Sequence, residues 1–140
     1  MSADEFLDSN ILVYSVDASA QEKMERAHEL VGRSLVNGSG CISYQVVQET
    51  LNVLTGKLGM SSDSIRRLLD EILVPLWQVN PTAALYQSAI SLQSRYGFSF
   101  YDSLIVAAAL EAGCTRLYSE DLQHGHQIQR LTILNPFINE

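Results

Sequence analysis

Short apolar runs alternate along the chain with longer stretches in which apolar residues recur every three or four positions. Five short runs predict β-strands, at 5–7, 41–42, 76–79, 116–118 and 131–134. Helical spacing predicts the intervening helices, at 11–16, 22–35, 44–58, 65–74, 81–95 and 103–112. Strands that alternate with helices over the whole length predict an α/β fold, a short-stranded parallel sheet with helices on both faces.

Local signals mark where several helices begin and end. Ser19 and Glu22 have the spacing of a capping box, which predicts a helix start. Asn80 before Pro81 predicts another, with the proline in the first helical position. The helix of residues 65–74 is predicted to end at Pro75.

The most apolar predicted helix reads SLIVAAALEA at 103–112 and is expected to be buried because it lacks a polar face. Ser99 and Asp102 have capping-box spacing, which places Asp102 in the first helical turn. A carboxylate at that position is favoured by the helix dipole alone. Asp102 therefore indicates a functional site only if other acids reach the same place.

Three further acids are predicted to lie at the same edge of the sheet as Asp102. Asp8 ends the first strand, Glu49 lies in the second turn after the second strand, and Asp121 follows the strand of residues 116–118. Open parallel sheets bind ligands beyond the carboxyl ends of their strands, where all four acids are directed. Each alone has an ordinary explanation, as a helix cap, a solvated helix edge or a turn residue. Their convergence is what indicates a site.

Clustered carboxylates favour a bound cation. Two of them about 5 Å apart repel by roughly 3 kcal/mol at an effective dielectric constant of about 20. A set of oxygen ligands without His or Cys indicates Mg²⁺ or Mn²⁺ rather than zinc. Such ions can activate a water molecule and neutralise charge on a phosphodiester.

Composition narrows the class of protein. The 140 residues are 46% hydrophobic, which suits one domain with a real core, and no apolar run is long enough to cross a bilayer. The acidic start lacks the basic residues of a signal peptide, so we expect a cytoplasmic protein without a membrane partner. The net charge of −7 argues against a broad basic face for nucleic acid, although bound cations would reverse the local field. Cys41 and Cys114 are expected to be reduced core thiols.

Four pieces of the chain match one family in order: FLDSN at 6–10, the helix bearing Glu49, YD at 101–102 with its apolar helix, and YSEDLQ at 118–123. On these motifs the chain resembles a PIN-domain nuclease over essentially its whole length, and among these it looks most like the VapC-type toxins of bacterial toxin–antitoxin pairs. The resemblance implies a three-layer α/β/α PIN-like fold, a single domain over residues 1–140. It also implies a metal-dependent endoribonuclease that leaves a 5′-phosphate and a 3′-hydroxyl.

The resemblance also implies residue roles. The metal-binding and catalytic acids would be Asp8, Glu49, Asp102 and Asp121, holding Mg²⁺ or Mn²⁺. Asn10 and Ser119 match polar supports that orient an acid or a metal-bound water. The implied partners are an RNA substrate, a second copy in a homodimer, and a small antitoxin that covers the acidic pocket, often with a basic side chain.

Several other residues are weaker candidates. His124 and His126 lie in the loop after Asp121, where flexible surface histidines are the simpler interpretation, and His124 is the better candidate to contact substrate. Tyr101 and Tyr44 could stack on a base or could simply pack at the rim of the site.

Two other functions stay open. A non-catalytic RNA- or protein-binding module on the same fold would predict missing acids, whereas all four acids are present here. A phospho-accepting or phosphatase domain with Asp8 as nucleophile is a weaker alternative. Asn10 takes the place of the second aspartate expected in a D-x-D motif.

Overall fold

Six short strands form one mostly parallel sheet in the computed structural model, which describes residues 3–138. The strands are β1 (Glu5–Leu7), β2 (Gly40–Ser43), β3 (Trp77–Val79), β4 (Arg116–Tyr118), β5 (Gln127–Ile128) and β6 (Leu131–Leu134). Their order across the sheet is β3-β2-β1-β4-β6-β5, so that β1 pairs with β2 on one side and β4 on the other. The predicted α/β fold is confirmed.

Helices flank this sheet. They are α1 (Ser9–Tyr14), α2 (Gln21–Asn37), α3 (Tyr44–Thr55), α4 (Ser62–Leu68), α5 (Val74–Leu76), α6 (Ala83–Tyr96) and α7 (Phe100–Glu111). The predicted buried helix is α7, in which every side chain from 103 to 109 is buried. Ser99 caps α7 by accepting a hydrogen bond from the Asp102 N–H at 3.1 Å, which confirms that Asp102 lies in the first turn. Over residues 3–138, no helix has the length and apolarity needed to cross a membrane.

The sequence pattern predicted a parallel sheet, but one pair of strands in the structure is antiparallel. β5 pairs antiparallel with β6 across a two-residue turn in which Gln129 has a left-handed φ of 55°. Such turns need positive φ angles and usually use Asn or Gly, so a Gln-Arg pair carries little turn signal. With only two residues, β5 is also too short for an alternating pattern.

Two predicted capping signals are wrong. Ser19 does not cap α2, because its hydroxyl donates to the Asp17 carboxylate at 2.6 Å instead. Asn80 does not cap α6, because its Oδ1 accepts from the Trp77 indole N–H at 3.0 Å. The cap of α6 is Thr82, two residues later. In both places the side-chain oxygen has a competing donor nearby, which spacing along the chain does not reveal.

The predicted end of a helix at Pro75 is also wrong. α4 continues through a π-helical turn (Leu69–Leu73) into α5, which contains the proline. In the π turn the Val74 N–H donates to the carbonyl of Leu69, five residues earlier. The wider turn accommodates a residue that lacks an N–H and would clash with an ordinary helical carbonyl.

Replacing Gly40 by alanine tests the packing of β2 against α2. A Cβ at Gly40 would lie 2.6 Å from the Cβ of Ser34 and 2.9 Å from Cδ2 of Leu76, so we expect Gly40→Ala to lower the free energy of unfolding by about 1–3 kcal/mol. Gly32→Ala in α2 is the control, because its Cβ would meet no atom within 4 Å. There we expect a gain of about 0.5–1 kcal/mol from helix propensity. Urea unfolding of both variants measures the change in free energy of unfolding, and an equal change in the two variants would contradict the prediction.

Candidate active site

Asp8 lies where the carboxyl ends of β1 and β4 meet. Its backbone N–H donates to the carbonyl of Tyr118 at 3.0 Å and so ties the two strand ends together. Its carboxylate accepts at both oxygens: Oδ1 from the Ser9 N–H at 2.7 Å, and Oδ2 from the Ser119 hydroxyl at 2.8 Å. Asp8 thus caps α1, as its ordinary explanation predicted, but the residue is only 6% exposed.

Burial raises the pKa of the Asp8 carboxyl from 3.8 to about 6. The hydrogen bonds from Ser119 and Ser9 lower the pKa, whereas the negative charges of Glu49 and Asp121 raise it further. Removal from water disfavours the charged form of the carboxyl group, which is why burial is the largest of these effects.

Glu49 is joined to Asp8 through Ser9. The Ser9 hydroxyl donates to Oε1 of Glu49 at 3.2 Å, while the Ser9 backbone N–H is the group that donates to Asp8. The other carboxylate oxygen of Glu49, Oε2, accepts from the Gln45 side chain at 3.3 Å. One residue at the start of α1 therefore contacts two acids that are 41 positions apart in the chain.

Asp121 is held by Asn10 and Ser119. The Asn10 amide donates to Oδ2 of Asp121 at 3.1 Å, and the Asp121 backbone N–H donates to the Ser119 hydroxyl at 3.2 Å. Asn10 also accepts from the Glu120 N–H at 3.3 Å, which fixes the loop after β4. Asn10 and Ser119 thus contact acids of the site, although these contacts do not test their role.

Asp102 joins this group less directly. It is half-buried in the first turn of α7, and its neighbour Tyr101 accepts a hydrogen bond at the backbone carbonyl from Gln45 at 3.2 Å. Because Gln45 also donates to Glu49, this side chain connects the start of α7 to the other acids. The structure therefore links Asp8, Glu49 and Asp121 through side chains and places Asp102 one residue from that network.

The site is negatively charged without compensation. Within residues 3–138, none of the five ion pairs includes one of these four acids. Acids outside the site do form ion pairs: Glu5, buried at the opposite end of β1, pairs with Arg33 and Arg116. Glu120, next to Asp121 in the chain, pairs with Lys23. The donors at the site are neutral hydroxyl, amide and backbone groups.

The donor set fits a hard divalent cation in kind, because it consists of carboxylate and neutral oxygen groups. Over residues 3–138, however, no group of three or more His, Cys, Asp or Glu side chains stands ready to hold a metal ion. Glu49 and Asp121 are turned towards Ser9 and Asn10. A carboxylate oxygen that accepts one hydrogen bond keeps a second lone pair, so these contacts leave room for an ion, and the metal role of the four acids stays a prediction.

The candidate substrate residues differ in their surroundings. His124 and His126 are half-buried rather than loosely held: Nδ1 of His124 accepts from the Asn135 N–H at 2.9 Å, and the His126 ring packs 5.8 Å from Phe98. Tyr101 is 65% exposed, and it lines a cavity of about 110 Å³ together with Tyr44. Contact of His124 or Tyr101 with substrate stays a prediction.

Two residues of the site had no role in the sequence analysis, Ser9 and Gln45. Ser9 lies inside the FLDSN motif, next to Asp8, and its double contact depends on where α3 packs. Gln45 precedes Glu49 by four residues, which is the spacing of neighbouring side chains on a helix and could have indicated that contact. Its contact with Tyr101 joins residues 56 positions apart, and no pattern in the neighbouring sequence could have predicted it.

These features define an α/β domain with an uncompensated acidic site at the carboxyl edge of its sheet. The family model that matches the sequence is the PIN domain, over residues 6–126. The chain belongs to the PIN domain family, as its motifs predicted. No curated protein matches the sequence.

Similar solved structures include toxin–antitoxin proteins. A toxin–antitoxin complex from Klebsiella pneumoniae aligns with a TM-score of 0.67 at 15% identity, over 96% of this chain and 98% of that one. VapBC2 from Rickettsia felis, bound to a DNA fragment from its promoter, gives 0.64 at 16% identity, over 92% and 96%. Mycobacterium tuberculosis VapC20, described as a sarcin-ricin loop cleaving toxin, gives 0.60 at 18%, over 84% and 92%. At these identities the likeness is one of fold.

The raised pKa of Asp8 predicts how stability varies with pH. The unfolded chain releases the Asp8 proton near 3.8 and the folded protein only near 6, so the folded state binds more protons between these values. The free energy of unfolding should therefore fall by about 3 kcal/mol at most as the pH rises from about 4 to 7. Asp8→Asn should lack this contribution, as urea unfolding in EDTA would show. Exposed Asp63→Asn is the control, and identical pH profiles for Asp8→Asn and wild type would contradict the prediction.

Proposed function

We propose that the protein is a metal-dependent endoribonuclease and the toxin of a toxin–antitoxin pair. The observation that carries the proposal is the network of Asp8, Glu49 and Asp121, which has no cationic partner among the described residues. Uncompensated carboxylates cost stability, and such costs are typical of functional sites. Membership of the PIN family supports the same conclusion.

Asp8, Glu49, Asp102 and Asp121 would hold Mg²⁺ or Mn²⁺, which would lower the pKa of a water molecule and stabilise negative charge on the phosphodiester. The neutral donors have a clear part in this scheme. Ser9 and Ser119 hold Asp8 in place, and Asn10 holds Asp121, without neutralising either acid. These donors therefore place no positive charge where a cation would bind.

RNA is the substrate that we propose, with Tyr101 and His124 as contacts. The net charge of −7 means that a polyanion would not be held by the protein as a whole, so binding would depend on the cation at the acidic edge. VapC20, one of the similar structures, is a sarcin-ricin loop cleaving toxin, which supports an RNA substrate for this protein.

A small antitoxin is the protein partner that we propose, because two of the similar structures contain toxin and antitoxin together. An uncompensated acidic site is complementary to a basic side chain, which could occupy the place of the cation and block cleavage. We also propose a homodimer and a cytoplasmic location, as the resemblance to VapC-type toxins implies.

Cleavage of a mixed cellular RNA pool by the purified protein tests the proposal. With Mg²⁺ or Mn²⁺ we expect discrete cuts that EDTA abolishes. Asp8→Asn and Asp102→Asn should each lower cleavage by about 100-fold or more, because a cation contributes several kcal/mol to the transition state. Each variant removes a charge without changing volume, so circular dichroism should show an unchanged fold.

The matched control is Asp63→Asn, which removes an exposed acid that pairs with Arg66 on α4. It should cleave as wild type does. Undiminished cleavage by Asp102→Asn would disprove the assigned site. Absence of cleavage and of Mn²⁺ binding in the wild type would favour the alternative, a non-catalytic RNA- or protein-binding module.

A further inference from the structure

Gln45 lies between two of the proposed ligands. Its side-chain nitrogen donates to Oε2 of Glu49 at 3.3 Å and to the backbone carbonyl of Tyr101 at 3.2 Å. The first contact is within α3, and the second joins α3 to the first turn of α7, where Asp102 follows Tyr101. Gln45 is therefore the side chain that connects Glu49 to the part of the chain bearing Asp102.

We propose that Gln45 is a positioning residue that holds the Glu49 carboxylate beside the first turn of α7 and thereby strengthens binding of a divalent cation. This inference rests on the proposed function, and it assigns a role to a residue outside the four acids. Gln45 acts through Glu49, because its side-chain nitrogen donates to the Glu49 carboxylate and to the backbone that precedes Asp102.

The orientation of the Gln45 amide follows from its neighbours. The Glu49 carboxylate and the Tyr101 carbonyl both accept hydrogen bonds, so a reversed amide would place a third acceptor against them. With the nitrogen directed to them, Oε1 of Gln45 is buried without a donor, one of two such side-chain atoms within residues 3–138. A buried polar atom without a partner is normally avoided in folded proteins. Gln45 therefore makes both donor contacts through its nitrogen although its own oxygen has no hydrogen-bond donor.

A neutral hydrogen-bond donor can orient a carboxylate ligand without neutralising the charge that attracts the cation. Lys23 pairs with Glu120 and neutralises it, whereas Gln45 and Ser9 hold both oxygens of Glu49 without adding a positive charge. Glu49 is thereby fixed in direction by donors that carry no charge. Residues that orient metal ligands in this way typically change metal affinity or activity by about 10–100-fold when they are replaced.

The test is calorimetric titration of metal-free protein with Mn²⁺, for wild type, Gln45→Met and Gln48→Met. Methionine keeps the length of glutamine but removes both donor contacts, so we expect Gln45→Met to bind Mn²⁺ about 10–100-fold more weakly. Its thermal unfolding should be unchanged or shifted upward, because the unpartnered oxygen is also removed. Gln48 is an exposed glutamine on the same helix, and Gln48→Met should bind as wild type does.

The outcomes separate this inference from the proposed function. If the wild type binds Mn²⁺ and Gln45→Met binds it equally well, the positioning role is disproved while the proposed function stands. If the wild type binds no Mn²⁺, the proposed function fails and the inference fails with it. Gln45→Asn guards against misfolding of the methionine variant: it keeps the amide but is one methylene shorter, and it should also weaken Mn²⁺ binding. A folded Gln45→Asn with wild-type affinity would likewise overturn the inference.

Discussion

The uncompensated charge of Asp8 is the constraint on which the rest of the site depends. Its backbone N–H ties β1 to β4 through Tyr118, so the carboxylate is placed at the end of the central pair of strands. Burial there raises its pKa to about 6, and the charges of Glu49 and Asp121 add to that effect. Neutral donors then satisfy its oxygens without cancelling its charge.

The contrast with Glu5 shows that this treatment is specific to one end of the sheet. Glu5 begins the same strand and is also buried, yet it accepts from Arg33, Arg116 and Ser34. A buried acid that serves structure is paired, because an unpaired buried charge costs several kcal/mol. The acids at the carboxyl ends form no such ion pair among the described residues.

The predicted strands and helix ends agree best with the structure where neighbouring residues in the chain determine them. β1, β2, β4 and β6 were predicted nearly to their ends, because apolar runs between turn residues have few other structures open to them. Ser99 caps α7 as its spacing predicted. Ser19 and Asn80 fail as caps because Asp17 and Trp77 offer competing hydrogen bonds. Pro75 stays within a helical run because the preceding π turn gives it room.

The sequence by itself determined that four acids follow strands or lie in the first two turns of helices in a mostly parallel α/β fold, where the carboxyl ends of parallel strands share one edge. Only the tertiary structure decided how the acids are held. Ser9 reaches Glu49 across 40 positions, Ser119 reaches Asp8 across 111, and Gln45 reaches Tyr101 across 56. The tertiary structure also decided that Lys23, Arg33 and Arg116 pair with Glu120 and Glu5 rather than with the site. Residue patterns report the neighbours along the chain, whereas these contacts depend on how α1, α3 and α7 pack around the sheet.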